Sequence, residues 1–290
     1  MPINVKENNI WREVANVYVN EDMEWKRCIQ VYINNHGTWE ELLFEFISTS
    51  NTITSGGAGT IEVPQGAFRV AITINGAGGG IGCDDGDHGT SPGGAGASLS
   101  ATIGVAPYST ISYVIGTQGG NGVSGTSSAA GGDGGAGYNN GGDGGNAGPA
   151  GSSGGGGGGG GSTAVMASDD TIIMIAGGGS GGSGSGNNLQ LSTSDARGKD
   201  STSINGGIGQ VSGSNGGAGD NSWQPDGGAG GGGGAGVPGG AGGAYLGPYD
   251  ADGYPGIAGT SYYNSNLIPN SPTKTTNSGN GSITFTRLPE

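Results

Sequence analysis

Short stretches in which apolar and polar residues alternate recur along this chain, and each reads as a β-strand with one buried face. The clearest are Thr60-Ile61-Glu62-Val63-Pro64 with Phe68-Arg69-Val70-Ala71-Ile72-Thr73-Ile74, then Ile111-Ser112-Tyr113-Val114-Ile115, Thr171-Ile172-Ile173-Met174-Ile175 and Ser282-Ile283-Thr284-Phe285-Thr286. Between them the alternation stops, and blocks such as Gly131-Gly132-Asp133-Gly134-Gly135-Ala136 and Gly141-Gly142-Asp143-Gly144-Gly145-Asn146 take over with a period of three. Before residue 48 the pattern is different again. Trp11, Trp25 and Trp39 stand 14 residues apart, Tyr18 and Tyr32 repeat at the same interval, and Trp11 to Asn20 aligns with Trp25 to Asn34. Each copy reads as a strand of about ten residues, with turns at 20–23 and 34–37, which predicts a three-stranded antiparallel meander.

Composition sharpens this division. The chain has 73 glycines in 290 residues, and only Gly37 precedes residue 48. We therefore divide it into an N-terminal Trp-repeat domain at 1–47, a linker at 48–59 and a glycine-rich domain at 60–290. With 12 prolines and no Gly-x-y phase, the glycine blocks are not collagen-like. Gly-Gly-x fits a polyglycine II helix instead, where about three residues per turn put every side chain on one edge and leave two edges bare. Bare edges let backbones touch and pair N–H with C=O between neighbours. The eight consecutive glycines at 154–161 have no side chain on any edge, so they suit the centre of such a lattice. A flexible glycine linker is the competing reading, but it has no use for the alternating strands. The expected fold is all-β plus polyglycine II, with a β-sandwich-like framework joined to a packed lattice of threads.

Three strands are close to the lower limit for a free-standing sheet, and the repeated Trp and Tyr positions offer more apolar surface than a small meander can bury. Trp11, Tyr18, Trp25, Tyr32 and Trp39 are therefore assigned to attachment, either to a partner or between copies of this chain. In the glycine region, Asn221-Ser222-Trp223-Gln224-Pro225-Asp226, the segment from Tyr245 to Pro255, and Ser261-Tyr262-Tyr263-Asn264 concentrate aromatic and amide side chains. Such residues offer rigid contact area together with adaptable hydrogen bonding. Trp223, Tyr245, Tyr249, Tyr254, Tyr262 and Tyr263 are the candidate receptor-binding residues. Among them Trp223 fits a cap on the lattice end best, whereas Tyr249, Tyr254, Tyr262 and Tyr263 fit contacts best.

The order of glycine blocks resembles a known arrangement. Val63 to Val70 leading into Gly76-Ala77-Gly78-Gly79-Gly80, Tyr113 to Gly120, Gly154 to Ala164, and Ile173 to Gly179 are similar to the glycine-rich extracellular domain of the anaplastic lymphoma kinase and leukocyte tyrosine kinase receptors. That resemblance covers about residues 60–260 and implies a β-sandwich joined to polyglycine II helices. The region also looks like the distal-tip adhesins of T-even-like bacteriophages, which implies loops held up by polyglycine II layers for receptor contact. The N-terminal repeat departs from those adhesins and looks like short Trp-x-x-Val-x-x-Val-Tyr-Val repeats of phage tail proteins.

Charge and chemistry narrow the function. The net charge of −14 disfavours nucleic acid or an anionic membrane as partner. Residues 1–10 contain no apolar core of signal-peptide length, which fits a virion protein made in the host cytoplasm, and no stretch predicts membrane insertion. Cys28 lies in a strand pattern and Cys83 in a loop of the other domain, which predicts no mutual disulfide. The loop Cys83-Asp84-Asp85-Gly86-Asp87-His88-Gly89 clusters possible ligands but lacks the phase of a calcium loop. Two histidines, both in turns, leave little for acid–base catalysis. We expect no enzyme, no metal and no cofactor. The expected function is a phage tail-fibre adhesin that binds a host outer-membrane protein or surface polysaccharide, and the alternative is a structural spacer in a virion or matrix.

Overall fold

The computed structural model describes the strands of residues 3–42 and, from residue 50 onward, 50–63, 67–83, 90–125, 128–149, 153–186, 193–208, 213–245, 247 and 251–288. In the N-terminal region β1 (Ile3–Glu7) pairs with β2 (Ile10–Val14), β3 (Tyr18–Glu21) with β4 (Glu24–Arg27), and β5 (Val31–Asn35) with β6 (Thr38–Leu42). This corrects the expected meander. The strand predicted at 11–20 is divided: its first half pairs back onto β1 and its second half forward onto β4, and each hairpin is a separate two-stranded sheet. Pairing across a two-residue turn has the smallest loop-closure cost, so the chain closes locally at every turn. The 14-residue period survives in the register, because Trp11, Trp25 and Trp39 lie opposite Lys6, Asn20 and Asn34.

The next elements are β7 (Ser50–Ile53), β8 (Gly57–Glu62), β9 (Arg69–Asn75), β10 (Gly96–Gly104), β11 (Thr110–Ile115), β12 (Ser124–Gly125) and β13 (Ser153–Gly154). They are followed by β14 (Thr163–Met166), β15 (Ile172–Ala176), the four-residue helix α1 (Thr193–Ala196), β16 (Ile204–Gly207), β17 (Ser261–Asn264), β18 (Thr273–Asn277) and β19 (Ser282–Arg287). The described chain is thus all-β apart from α1. Residues 50–53 and 57–59, inside the stretch expected as a linker, are sheet strands.

Two sheets form the framework. One runs β18-β10-β9-β19-β7 and the other β16-β17-β15-β14-β11-β8, antiparallel except for the parallel pair β16–β17. Their inner faces meet in one core, with Val70, Ile72, Ile74, Leu99, Ile283 and Phe285 from the first against Ile111, Ile115, Val165 and Met174 from the second. Burial of each such side chain contributes roughly 1.5–3 kcal/mol. A bulge leaves Ile173 without an opposite residue, because Val165 pairs with Met174 and Met166 with Ile172. The extra residue shifts the alternation. Ile173 and Met174 both join the sandwich core, while Ile172 and Ile175 face a second cluster with Ala164 and Tyr262.

That second cluster is covered by Tyr138 and Val237, which sit where glycine segments turn. The glycine segments leave the sandwich directly from strand ends at 75/76, 115/116, 162/163, 176/177 and 260/261. They run outward as extended threads outside any sheet, bonded laterally to one another.

The thread at 154–162 shows the arrangement. Its N–H groups donate in rotation: Gly154, Gly157 and Gly160 to the carbonyls of Ser185, Gly182 and Gly179; Gly155, Gly158 and Gly161 to Val123, Gly120 and Thr117; Gly156, Gly159 and Ser162 to Gly145, Gly142 and Asn139. Its carbonyls accept in the same rhythm, from Ala229, Gly232 and Ala235, from Cys83, Gly80 and Ala77, and from Gly132, Gly135 and Tyr138. Donor–acceptor distances are 2.7–3.2 Å, so every backbone group of this thread is satisfied by one of six neighbours. The three bonded directions recur at i, i+3 and i+6, so the thread repeats its set of partners every three residues. Glycine is obligatory there, since a Cβ on Gly157, Gly158 or Gly159 would strike the carbonyl oxygen of Gly80, Asp133 or Gly233.

Outer threads lack neighbours on one side, and side chains take their place. Asp143 Oδ1 accepts from Gly134 N at 2.8 Å, Asn146 Oδ1 from Gly131 N at 2.9 Å, Asn215 Oδ1 from Asn140 N at 2.9 Å and Asn221 Oδ1 from Asn146 N at 2.7 Å. The acceptor residue at every third position supplies the carbonyl that a missing thread would have offered.

Candidate binding surface at the far end of the threads

Because the threads run back and forth between the sandwich and their far end, the connections between them collect at that end. Described residues there are tied together: Gly154 N donates to Ser185 O and Ser185 N to Cys83 O, Ser128 N to Gly148 O, Gly148 N to Gly227 O, Ser222 N to Asn146 O, and Gly228 N to Ala251 O. One surface therefore gathers positions far apart in sequence, including the edges of the 222–227 and 245–251 connections.

Trp223 projects from this end with 71% of its surface exposed. Its ring meets Tyr245 edge-on, with centroids 6.4 Å apart and planes at 73°. Aromatic pairs favour this geometry because a positive ring edge faces a negative ring face. The loop that carries Trp223 is held from behind, since Gln224 is buried and Asp226 takes a left-handed backbone conformation with φ 55°. Gly227 packs directly under the Tyr245 ring, where a Cβ would lie 3.0 Å from the phenol oxygen. Asp220 Oδ2 accepts from Tyr245 N at 3.4 Å. Beneath the surface Asp252 is only 1% exposed and accepts from Gly186 N at 2.9 Å. The site is thus a rigid aromatic pair on a hydrogen-bonded base.

Tyr254 lies one step further along the same flank, joined by its N–H to Ala244 O at 2.8 Å. It is 43% exposed and lines a groove of about 500 Å³ with Pro255, Ile257, Lys199 and Asp195. Ile257 is itself exposed, an isolated apolar residue in Pro255-Gly256-Ile257-Ala258 that the sequence reading passed over. Asp195, on α1, and Lys199, on the 197–201 segment that returns beside the threads, complete the groove.

Trp223, Tyr245 and Tyr254 thus occupy one flank of the far end, and Tyr262 and Tyr263 do not. Both are on β17 inside the six-stranded sheet; Tyr262 is 2% exposed and belongs to the second core cluster, while Tyr263 packs on the sandwich core. The expectation that these two tyrosines are contacts is corrected, because alternation along β17 turns one to each buried face. Within the tip, Trp223, expected as a cap on the lattice end, is solvent-facing, and Tyr254, expected as a contact, is exposed as well. Tyr249 and residues 84–89 of the Cys83 to Gly89 loop lie outside the described residues. Trp11, Tyr18, Trp25, Tyr32 and Trp39 are placed on β2 to β6, and their side chains lie outside the described residues.

Burial holds the Tyr262 phenol above the ordinary tyrosine range. The raised value means the folded chain disfavours tyrosinate, so this contribution to stability is complete below about pH 10 and is lost as pH rises further through the folded value. We expect the spectroscopic tyrosine titration to contain a late component that is missing in Tyr262→Phe; titration curves that superimpose would contradict the burial.

Among the described residues no group of three His, Cys, Asp or Glu side chains comes together as a metal site, and no helix is long and apolar enough to cross a membrane. Comparison with known proteins finds no family model that matches this chain and no curated protein with significant similarity to it.

Proposed function

We propose that this chain is a bacteriophage tail-fibre adhesin, in which polyglycine II helices form a rigid stem and the connections at the far end bind a host surface receptor. The observation that carries this reading is the hydrogen bonding of 154–162 to six neighbours, which supports a cross-linked stem rather than a tether. A stem bonded on every side holds the tip connections at fixed spacing, so their sequence can change without unfolding what supports them. Pre-organised side chains also lose less entropy on binding. An exposed tryptophan stacked edge-on with a tyrosine is the kind of anchor that dominates binding energy.

In this reading the receptor is an outer-membrane protein or a surface polysaccharide, and Trp223, Tyr245 and Tyr254 contact it, together with Tyr249. The hairpin repeats at 1–47 attach the protein to the fibre, or to further copies, through Trp11, Tyr18, Trp25, Tyr32 and Trp39. The protein works on the virion at the distal tail fibre, without catalysis, cofactor, nucleic acid or membrane insertion.

Two variants test the division of labour. Deleting residues 1–47 abolishes incorporation into virions and leaves binding to host cells intact. Trp223→Ala lowers cell binding by roughly 30-fold, the equivalent of about 2 kcal/mol at a hot spot, with no change in melting temperature. Unchanged adsorption by a Trp223→Ala/Tyr254→Ala double variant would instead support a spacer with no receptor contact.

A further inference from the structure

The five-stranded sheet turns its other face outward, and that face is a grid of hydroxyls. Across the strands one row reads Thr273, Ser100, Thr73, Thr284 and Thr52, and the rows beside it include Thr275, Ser98 and Ser282 on one side and Thr102, Thr286 and Ser50 on the other. Neighbours in a row are about 4.8 Å apart and successive rows about 6.7 Å. Near β9 and β10 the connection that leads into β18 rises over this grid and borders an open cavity of about 550 Å³. Arg69, Thr73, Ser100 and Thr102 line its sheet side, and Pro269 and Asn270 its loop side.

The polar groups in this cavity are under-used. Thr73 Oγ1 and Ser100 Oγ bond each other at 2.8 Å, which leaves each with further hydrogen-bonding capacity. Among the described residues the Arg69 guanidinium, the Thr102 hydroxyl and the Asn270 amide have no side-chain hydrogen bond or ion pair. An unpaired arginine in a chain of net charge −14 with 9 basic residues stands out, because acidic partners are plentiful.

We infer that this cavity is a binding site for one carboxylate-bearing sugar residue, distinct from the aromatic tip and at the sandwich end of the molecule. Arg69 presents a planar fork matched to a carboxylate. The hydroxyl grid and Asn270 both donate and accept, as a polyol requires, and Ala71 and the Pro269 ring provide apolar wall for the C–H face of a pyranose. A single cation surrounded by neutral donors selects a monoanion over a phosphate dianion. The overall negative charge opposes an anion only weakly, since salt screens charges more than about 8 Å away, whereas Arg69 acts at contact distance.

The test uses the full chain, labelled for NMR and titrated with D-glucuronate, D-glucose and acetate. Glucuronate is expected to shift the Thr73, Ser100, Thr102 and Asn270 resonances with Kd on the order of 1 mM, and Arg69→Gln to weaken this at least about tenfold with an unchanged melting temperature. Asn270→Ala weakens it also, without touching the sheet. The inference is overturned if glucuronate shifts nothing in the cavity, if glucose or acetate shifts the same resonances equally well, or if Arg69→Gln leaves the affinity unchanged.

Discussion

Gly158→Ala is expected to destabilise the chain by at least about 3 kcal/mol, the upper part of the range for forced overpacking. The added methyl would meet the Asp133 carbonyl oxygen, with the Gly132 carbonyl close behind. Backbone cannot rotate away as a side chain does. Nor can the thread slide, because Gly158 donates to Gly120 O at 2.9 Å and accepts from Gly80 N at 2.7 Å, on two other sides. Gly279→Ala is the control. No atom lies within 4 Å of its Cβ position, and its backbone is not in the left-handed region, so loss of unfolded-state freedom should stabilise the protein by roughly 0.4–1 kcal/mol. Chemical denaturation of the two variants checks both, and similar midpoints would mean that the threads are not packed as described.

The second large effect is in amide exchange. Each N–H from Gly154 to Ser162 is bonded to a neighbouring thread, so exchange there requires separation of threads that are themselves bonded elsewhere. Opening at a cost near the global stability of a typical domain slows exchange by about 10⁴-fold or more. Gly131 and Gly134, whose N–H groups are held at the exposed edge by Asn146 and Asp143 side chains, should exchange sooner. A glycine tether would show none of this gradient, and free-peptide rates across 154–162 would refute the stem.

These two experiments also bear on the energetics of a glycine core. Ordering a glycine costs on the order of 1–2 kcal/mol or slightly more, and its burial brings almost no apolar side-chain area in return. Close packing and complete hydrogen bonding must offset that cost. This explains why the outer threads carry Asp and Asn at the third position, since a buried or half-buried N–H without an acceptor costs about 1–3 kcal/mol.

Much of the architecture is legible in the residues. Alternation at 69–74, 111–115 and 282–286 marks strands that form, and the glycine run at 154–161 does lie at the centre of its neighbours. Other strands escaped notice because their signal is diluted: β10 reads Gly-Ala-Ser-Leu-Ser-Ala-Thr-Ile-Gly, and β18 is a polar edge strand. The aromatic flank was read only in part. Trp223, Tyr245 and Tyr254 were visible as aromatics in loops, but Tyr262 and Tyr263 carry the same local signal and are interior, because nothing in Ser-Tyr-Tyr-Asn tells a loop from a strand that another sheet will cover.

The amino-acid sequence alone determined where side chains are absent, and hence which segments can approach backbone to backbone, since that is a property of each residue and its three-residue phase. Only the tertiary structure decided which threads become neighbours, which aromatic residues stay in water, and which hydroxyls share a face with Arg69. Those depend on pairings between residues as distant as Arg69 and Asn270, or Asn146 and Asn221, for which no local pattern carries information.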